Sequence, residues 1–123
     1  PCAKVYEDQD ILAFLDINPA SKGHTLVITK EHFANFTLVP KDLLGKAYAV
    51  AQKIAQAQIS QLGAEGANVL TNLNEIAGQS VMHFHIHVIP RYKKDDGLQL
   101  NFVPNSIETF NLPAVASQIK LGL

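Results

Sequence analysis

The segment His83-Phe84-His85-Ile86-His87-Val88-Ile89-Pro90 places an imidazole at every second position and an apolar side chain between them. Side chains of a strand alternate between its two faces, so this pattern puts His83, His85 and His87 on one face and Phe84, Ile86 and Val88 on the other. The chain therefore needs a sheet with one face in the core and the other open to a polar site. A strand is expected from Val81 to Ile89, ended by Pro90, which lacks the N–H that a ladder needs.

The remaining pattern builds an α+β domain around that strand. Ala3–Glu7 and Asp10–Leu15 read as two strands about a polar Asp8-Gln9 turn, and His24–Thr29, rich in β-branched residues, as a third. Between them Asn18-Pro19-Ala20-Ser21-Lys22-Gly23 is loop chemistry, with Pro fixing φ and Gly permitting positive φ. Leu43, Leu44, Ala47, Tyr48, Ala51, Ile54, Ala55, Ile59 and Leu62 recur at helical spacing, and Gly63 follows where a helix C-terminus is expected. This predicts a helix from about Pro40 to Leu62. Gly66–Asn72 is a fourth strand, and the loop Asn74–Ser80 leads to the histidine strand. Leu112, Val115, Ala116 and Ile119 mark a short C-terminal helix. Strands joined by short turns, with one long helix inserted, predict an antiparallel sheet of about five strands.

With 123 residues the chain suits one domain, 1–123, without repeats or linkers. The 17% of charged residues is low, which leaves some surface to be covered and makes a homodimer the simplest expectation. A net charge of −1 offers no long-range field for nucleic acid or an anionic membrane. A single cysteine, Cys2, excludes an intrachain disulfide, and neither a signal peptide nor a membrane helix is visible. The cytoplasm is the expected compartment.

A lone strand histidine is ordinarily a solvent-facing residue. Three in alternation, with apolar residues at every intervening position, mark a site. Two histidines spaced i, i+2 can share a zinc ion, but His83 and His87 would lie about 13 Å apart along a strand, too far for three ligands on one ion. Phosphate chemistry suits the spacing better. A neutral imidazole can attack phosphorus, and its neighbours can donate to phosphate oxygens.

The run His83–Pro90 resembles the signature of the histidine triad (HIT) nucleotide hydrolases and transferases. The likeness continues through Ala77-Gly78-Gln79-Ser80-Val81, Leu12-Ala13-Phe14-Leu15-Asp16 and Gly23-His24-Thr25-Leu26-Val27-Ile28, in order, over about residues 3–91. The tail, 92–123, adds little to it. The resemblance is nearest to the compact bacterial, phosphoramidase-like (Hint-like) branch, with the dinucleoside polyphosphate hydrolases as the alternative. A nucleotide-binding regulatory module with little turnover is a third reading.

This resemblance implies a nucleophile at His85, whose Nε2 takes the nucleotidyl group from the α-phosphate of a purine nucleotide conjugate while a backbone carbonyl holds the Nδ1 proton. His83 and His87 would position the site and donate to phosphate, and His24 would join the same network. Ser80, Asn72 and Gln79 match positions that meet phosphate oxygens or the leaving group. Gly78 would let backbone N–H groups approach. Asp16 matches a ribose-binding carboxylate, and Phe14 and Ile17 would lie at the base. No cofactor is expected. Many bacterial members hold zinc with an N-terminal Cys-x-x-Cys, a histidine matching His32, and the first triad histidine, His83. That Cys pair is absent here, so no metal ligands are expected and His32 reads as a surface residue. Zinc would require a Cys pair outside this chain.

Overall fold

The computed structural model describes residues 2–123. Five strands, β1 (Lys4–Glu7), β2 (Ile11–Leu15), β3 (Thr25–Thr29), β4 (Gly66–Leu70) and β5 (His85–Arg91), form one sheet in the order β1-β2-β3-β5-β4. Every pairing is antiparallel. Helix α1 (Lys41–Leu62) crosses between β3 and β4, and α2 (Leu112–Leu121) ends the chain. The expected α+β architecture is present. Among the described residues, no helix is long and apolar enough to cross a membrane.

The core lies between α1 and one sheet face. Ile11, Ala13, Val27, Phe84, Ile86 and Val88 meet Val39, Ala47, Val50, Ala51 and Ile54 there. The alternation that predicted this face is thus expressed in packing, since Phe84, Ile86 and Val88 are at most 1% exposed. Pro40 starts α1, which needs no N–H at that point. Gly63 ends it at φ 75°, and its N–H bonds to the Gln58 carbonyl. The buried stripe of α1 is Ala47, Val50, Ala51, Ile54 and Gln58. Tyr48 and Ile59, which the helical spacing places with the core, are 37% and 49% exposed. Gln58 occupies the core position instead.

The histidine strand departs from expectation at both ends. Val81–His83 is a bend, and β5 starts at His85 because Phe84 N–H bonds to Phe33 O, outside the sheet. Pro90, expected to end the strand, lies inside it opposite Ala67 of β4. Its carbonyl accepts from Ser21 Oγ at 2.5 Å, on the side away from β4, so the missing N–H removes no bond to β4.

The C-terminal arm makes a different kind of structure. Every residue from 99 to 123 is exposed. In α2, Asn111 caps the helix by accepting from Ala114 N–H at 3.2 Å, as a residue of its type does. On the apolar side of α2, Leu112, Val115 and Ile119 are 51%, 39% and 61% exposed, and no residue of the helix is buried.

Candidate active site

The face of the sheet opposite α1 carries the histidines. The register pairs Ile28 with His85 and Leu26 with His87, while Phe14 pairs with Leu26, so three strands bring these side chains side by side. Phe14, Leu26, Ile28, Val81, His83 and His85 line a recess of ≈ 340 Å³ there. One wall is hydrocarbon and the other imidazole, the composition of a small-molecule pocket with a few fixed polar groups.

Hydrogen bonds fix where the imidazole protons reside. His85 Nδ1 lies 2.8 Å from the carbonyl oxygen of His83. Only an N–H can bond to a carbonyl, so Nδ1 carries the proton and the neutral ring keeps its lone pair on Nε2. A second chain of bonds starts at the backbone of Ala20, whose N–H donates to His24 Nδ1 at 3.0 Å. His24 must then hold its proton on Nε2, which lies 2.9 Å from His87 Nδ1. His87 Nδ1 accepts, which leaves the His87 proton on Nε2, and the His85 and His87 ring centroids are 4.9 Å apart. One neighbouring ring thus presents a lone pair on Nε2 and the other an N–H.

Electrostatics keep this relay neutral. Burial lowers the pKa of His24, although the nearby Asp16 carboxylate pulls the other way. Burial also lowers that of His87, reinforced by repulsion from His85 and His24, to about 4. Asp16 Oδ2 stands 3.6 Å from His24 Nε2, and its Oδ1 accepts from Asn18 N–H at 2.9 Å.

The three donors of Asp16, His24 and His87 lie within 4.8 Å of one another, a spacing that a metal ion could bridge. The proton placement opposes it, because His24 would have to ligate through the nitrogen that carries its proton. The zinc set implied by the resemblance is also incomplete. His32 and His83 do meet, Nδ1 to Nδ1 at 3.1 Å, with His83 Nε2 donating to Thr29 O at 3.1 Å. A tetrahedral structural site needs four ligands. No further His, Cys, Asp or Glu joins that pair among the described residues, so zinc there would need the Cys pair outside this chain.

The other sequence-predicted residues divide into two groups. Asn72 lies two positions past the Leu70–His87 pair, beside His85, and its Nδ2 reaches Gly78 O at 3.5 Å. Gly78 has φ 103°, a backbone conformation that favours glycine, and a Cβ there would lie 3.4 Å from Asn72 Nδ2, at the edge of ordinary contact. Gln79 is elsewhere. It is 1% exposed, its Nε2 donates to Ala34 O and Val81 O, and its Oε1 accepts from Asn74 N–H. Both ends are committed to shaping the loop before the triad, and no side-chain donor remains for phosphate. Ser80 is exposed and its side chain makes no hydrogen bond among the described residues. Ile17 is 87% exposed, outside the recess.

Two contributors carried no sequence signal toward the site, and two side chains carried a weak one. The Ala20 N–H and the Thr29 carbonyl are backbone groups, which residue type does not reveal. His32 was read as a surface residue; it is exposed, and it also touches His83. Thr71 Oγ1, which donates to His85 O at 2.7 Å, could have been suspected from its place at the end of a strand.

Comparison with known proteins agrees with this geometry. The HIT domain family model matches residues 1–94. Protein hit of Bacillus subtilis is 50% identical over 97 residues, which span 79% of this chain and 67% of that protein. The adenosine 5'-monophosphoramidase of Schizosaccharomyces pombe is 37% identical over 119 residues, 97% of this chain and 86% of the enzyme. The crystal structure of a HIT family protein from Bacillus anthracis superposes with a TM-score of 0.93 at 41% identity, covering 100% of this chain and 89% of that one. Alternating imidazoles, the sheet that presents them and the extent of the match lead to one conclusion: the chain belongs to the histidine triad family.

Proposed function

We propose that this chain is a nucleotide hydrolase or transferase of the nucleoside phosphoramidase type, in which His85 Nε2 attacks the α-phosphate of a purine nucleoside monophosphate conjugate. One observation carries the reading: the bond from His85 Nδ1–H to the His83 carbonyl, which leaves the lone pair on Nε2 at the recess. The likeness to a phosphoramidase over nearly the whole chain supports the substrate class.

In the first step an Nε2–P bond forms and the bond from phosphorus to the leaving amine breaks. The imidazolium that results keeps its Nδ1 proton against the His83 carbonyl. The departing nitrogen leaves as the neutral amine with a proton gained from solvent water at the open recess, while His87 Nε2–H donates a hydrogen bond to a phosphoryl oxygen and His24 Nε2–H supports the His87 ring from behind. Water then attacks phosphorus, the Nε2–P bond breaks with its electron pair returning to His85 Nε2, the proton of the water passes to solvent, and the nucleoside monophosphate is released. Covalent catalysis splits one difficult displacement into two easier ones. Asp16 binds ribose hydroxyls, Phe14 and Ile17 flank the base, and Asn72, Gly78 and Ser80 receive the phosphate or leaving group. A panel of adenosine and guanosine phosphoramidates, dinucleoside polyphosphates and nucleotide sugars, compared by kcat/KM, tests the assignment. Preference for phosphoramidates is expected; preference for dinucleotides would move the chain to the alternative branch, and binding without turnover would make it a regulatory module.

The arm favours a homodimer. Leu112, Val115 and Ile119 would be costly to leave in water, and a second copy of the chain is the occupant proposed for them. The likeness to the Bacillus anthracis protein extends over the whole chain, the arm included. Sedimentation equilibrium should give a dimer for the chain and a monomer once residues 99–123 are deleted.

A further inference from the structure

Gln58 is a polar residue at a core position of α1, 4% exposed, with Ile54 four residues before it and Leu62 four after. Its Nε2 donates to Gly23 O at 3.0 Å and to Val88 O at 3.1 Å. These carbonyls belong to the residue before His24 and the residue after His87. The two relay histidines are therefore flanked, through the sheet, by one amide on the helix.

The hydrogen-bond inventory explains why a donor is needed there. Thr25 pairs with Val88, so continuing the antiparallel register puts Gly23 opposite Pro90. Paired residues two apart along an antiparallel ladder face the same way, so Pro90 turns its missing N–H toward the Gly23 carbonyl. The Pro90 carbonyl, which accepts from Ser21 Oγ, points to that same side. Thr25 Oγ1 gives the Gly23 carbonyl one donor at 2.8 Å, from its own strand. Among the described residues, only Gln58 joins the Gly23 carbonyl to β5. The arrangement leaves Gln58 Oε1 buried without a partner, a cost that a hydrocarbon side chain would avoid. The amide is also held one way round, because reversal would set Oε1 against two carbonyl oxygens.

We propose that Gln58 is a positioning residue for the His24–His87 relay, clamping the Gly23 and Val88 backbone so that His24 Nε2 and His87 Nδ1 remain in hydrogen-bond contact. The proposal rests on the proposed role of that relay in turnover, but its structural half does not. Gly23 has φ 97°, and a Cβ added there would meet Leu62 of α1, so the helix and the loop before His24 already touch closely. Gln58 fixes the depth and direction of that approach where the β3–β5 ladder gives out.

Gln58→Met keeps the length of the side chain and removes the donor. With adenosine phosphoramidate as substrate, kcat should fall about ten-fold, as for loss of an oriented hydrogen bond, while KM changes less than about two-fold. Imidazole 15N spectra of the nucleotide-free protein give a readout independent of turnover: the His24 and His87 signals should lose their single-tautomer pattern and those of His85 should keep it. Adding Pro90→Ala restores an N–H opposite Gly23 and should recover part of the lost kcat and the His24–His87 pattern. Gln58→Glu, which sets acceptors against both carbonyls, serves as the second variant if Gln58→Met does not fold. Unchanged His24 and His87 signals with native kcat, or no recovery in the double variant, would overturn the proposal. Altered ring signals in a protein that turns over none of the panel would instead uphold the clamp and count against the phosphoramidase reading.

Discussion

Two histidine pairs in this molecule have nearly the same contact distance and different consequences. His24 and His87 meet at 2.9 Å and His32 and His83 at 3.1 Å, with ring centroids 5.2 and 5.0 Å apart. The first pair is sunk into the sheet, with the Ala20 N–H behind it and Asp16 beside it, and burial holds both rings below the usual imidazole range. In the second, His32 is exposed, and the pair opens toward solvent. Contact is nearly the same in the two pairs; the surroundings that fix the proton are not.

His85 stands between the two pairs, taking its tautomer from the backbone of one and its ring neighbour from the other, and its removal should have the largest effect. His85→Ala should lower kcat by more than about 10²-fold with the fold retained, because the ring faces the recess and not the core. Circular dichroism and single-turnover kinetics on the same sample check both halves of this expectation.

Breaking the buried pair comes next. His24→Ala removes the donor to His87 Nδ1 and should reduce kcat by about ten-fold, the worth of a hydrogen bond of roughly 1–1.5 kcal/mol. Asp16→Ala should weaken ribonucleotides about ten-fold and 2′-deoxyribonucleotides much less. Equal weakening in a calorimetric titration of both sugars would leave Asp16 as a neighbour of His24 only.

The buried pair also gives stability a pH dependence. His87 has an ordinary pKa near 6.5 when the chain is unfolded and about 4 when folded. Between those values the unfolded chain binds the proton that the folded one refuses, so stability falls as pH drops from about 6.5 toward 4. The charges facing His87 are His85, which disfavours protonation, His24, which does so too, and Asp16, which favours it. Urea midpoints at pH 7 and pH 5 should differ, and His87→Asn should narrow the difference. The smallest effect belongs to the exposed pair. His32→Ala should alter stability by less than about 0.5 kcal/mol and leave kcat/KM within about two-fold.

Much of this contrast was legible in the sequence, for a physical reason. Strand alternation assigns faces, so Phe84, Ile86 and Val88 in the core and His85 and His87 outside it followed from spacing alone. The α1 boundaries followed from Pro40 and Gly63, residues whose backbone limits are intrinsic. The start of β5 did not follow, because the bond from Phe84 N–H to Phe33 O is a tertiary event with no local signature. Nor did the place of Pro90 inside β5, which depends on which side of the strand has a neighbour. Gln79 was read as a phosphate ligand from its position in a motif, whereas its amide is spent on Ala34, Val81 and Asn74. Proton placement on His24 depended on a backbone N–H of Ala20, and no side chain announces that.

The central claim is that His85 is a covalent nucleophile, and the stereochemistry at phosphorus tests it most directly. A substrate made chiral at the α-phosphorus should yield product with net retention, because attack by His85 and then by water inverts phosphorus twice. Rapid acid-free quenching of the same reaction should trap label on His85 in a base-stable, acid-labile bond. Net inversion would mean one direct displacement by water, and His85 would then be a base or a binding residue and not the nucleophile.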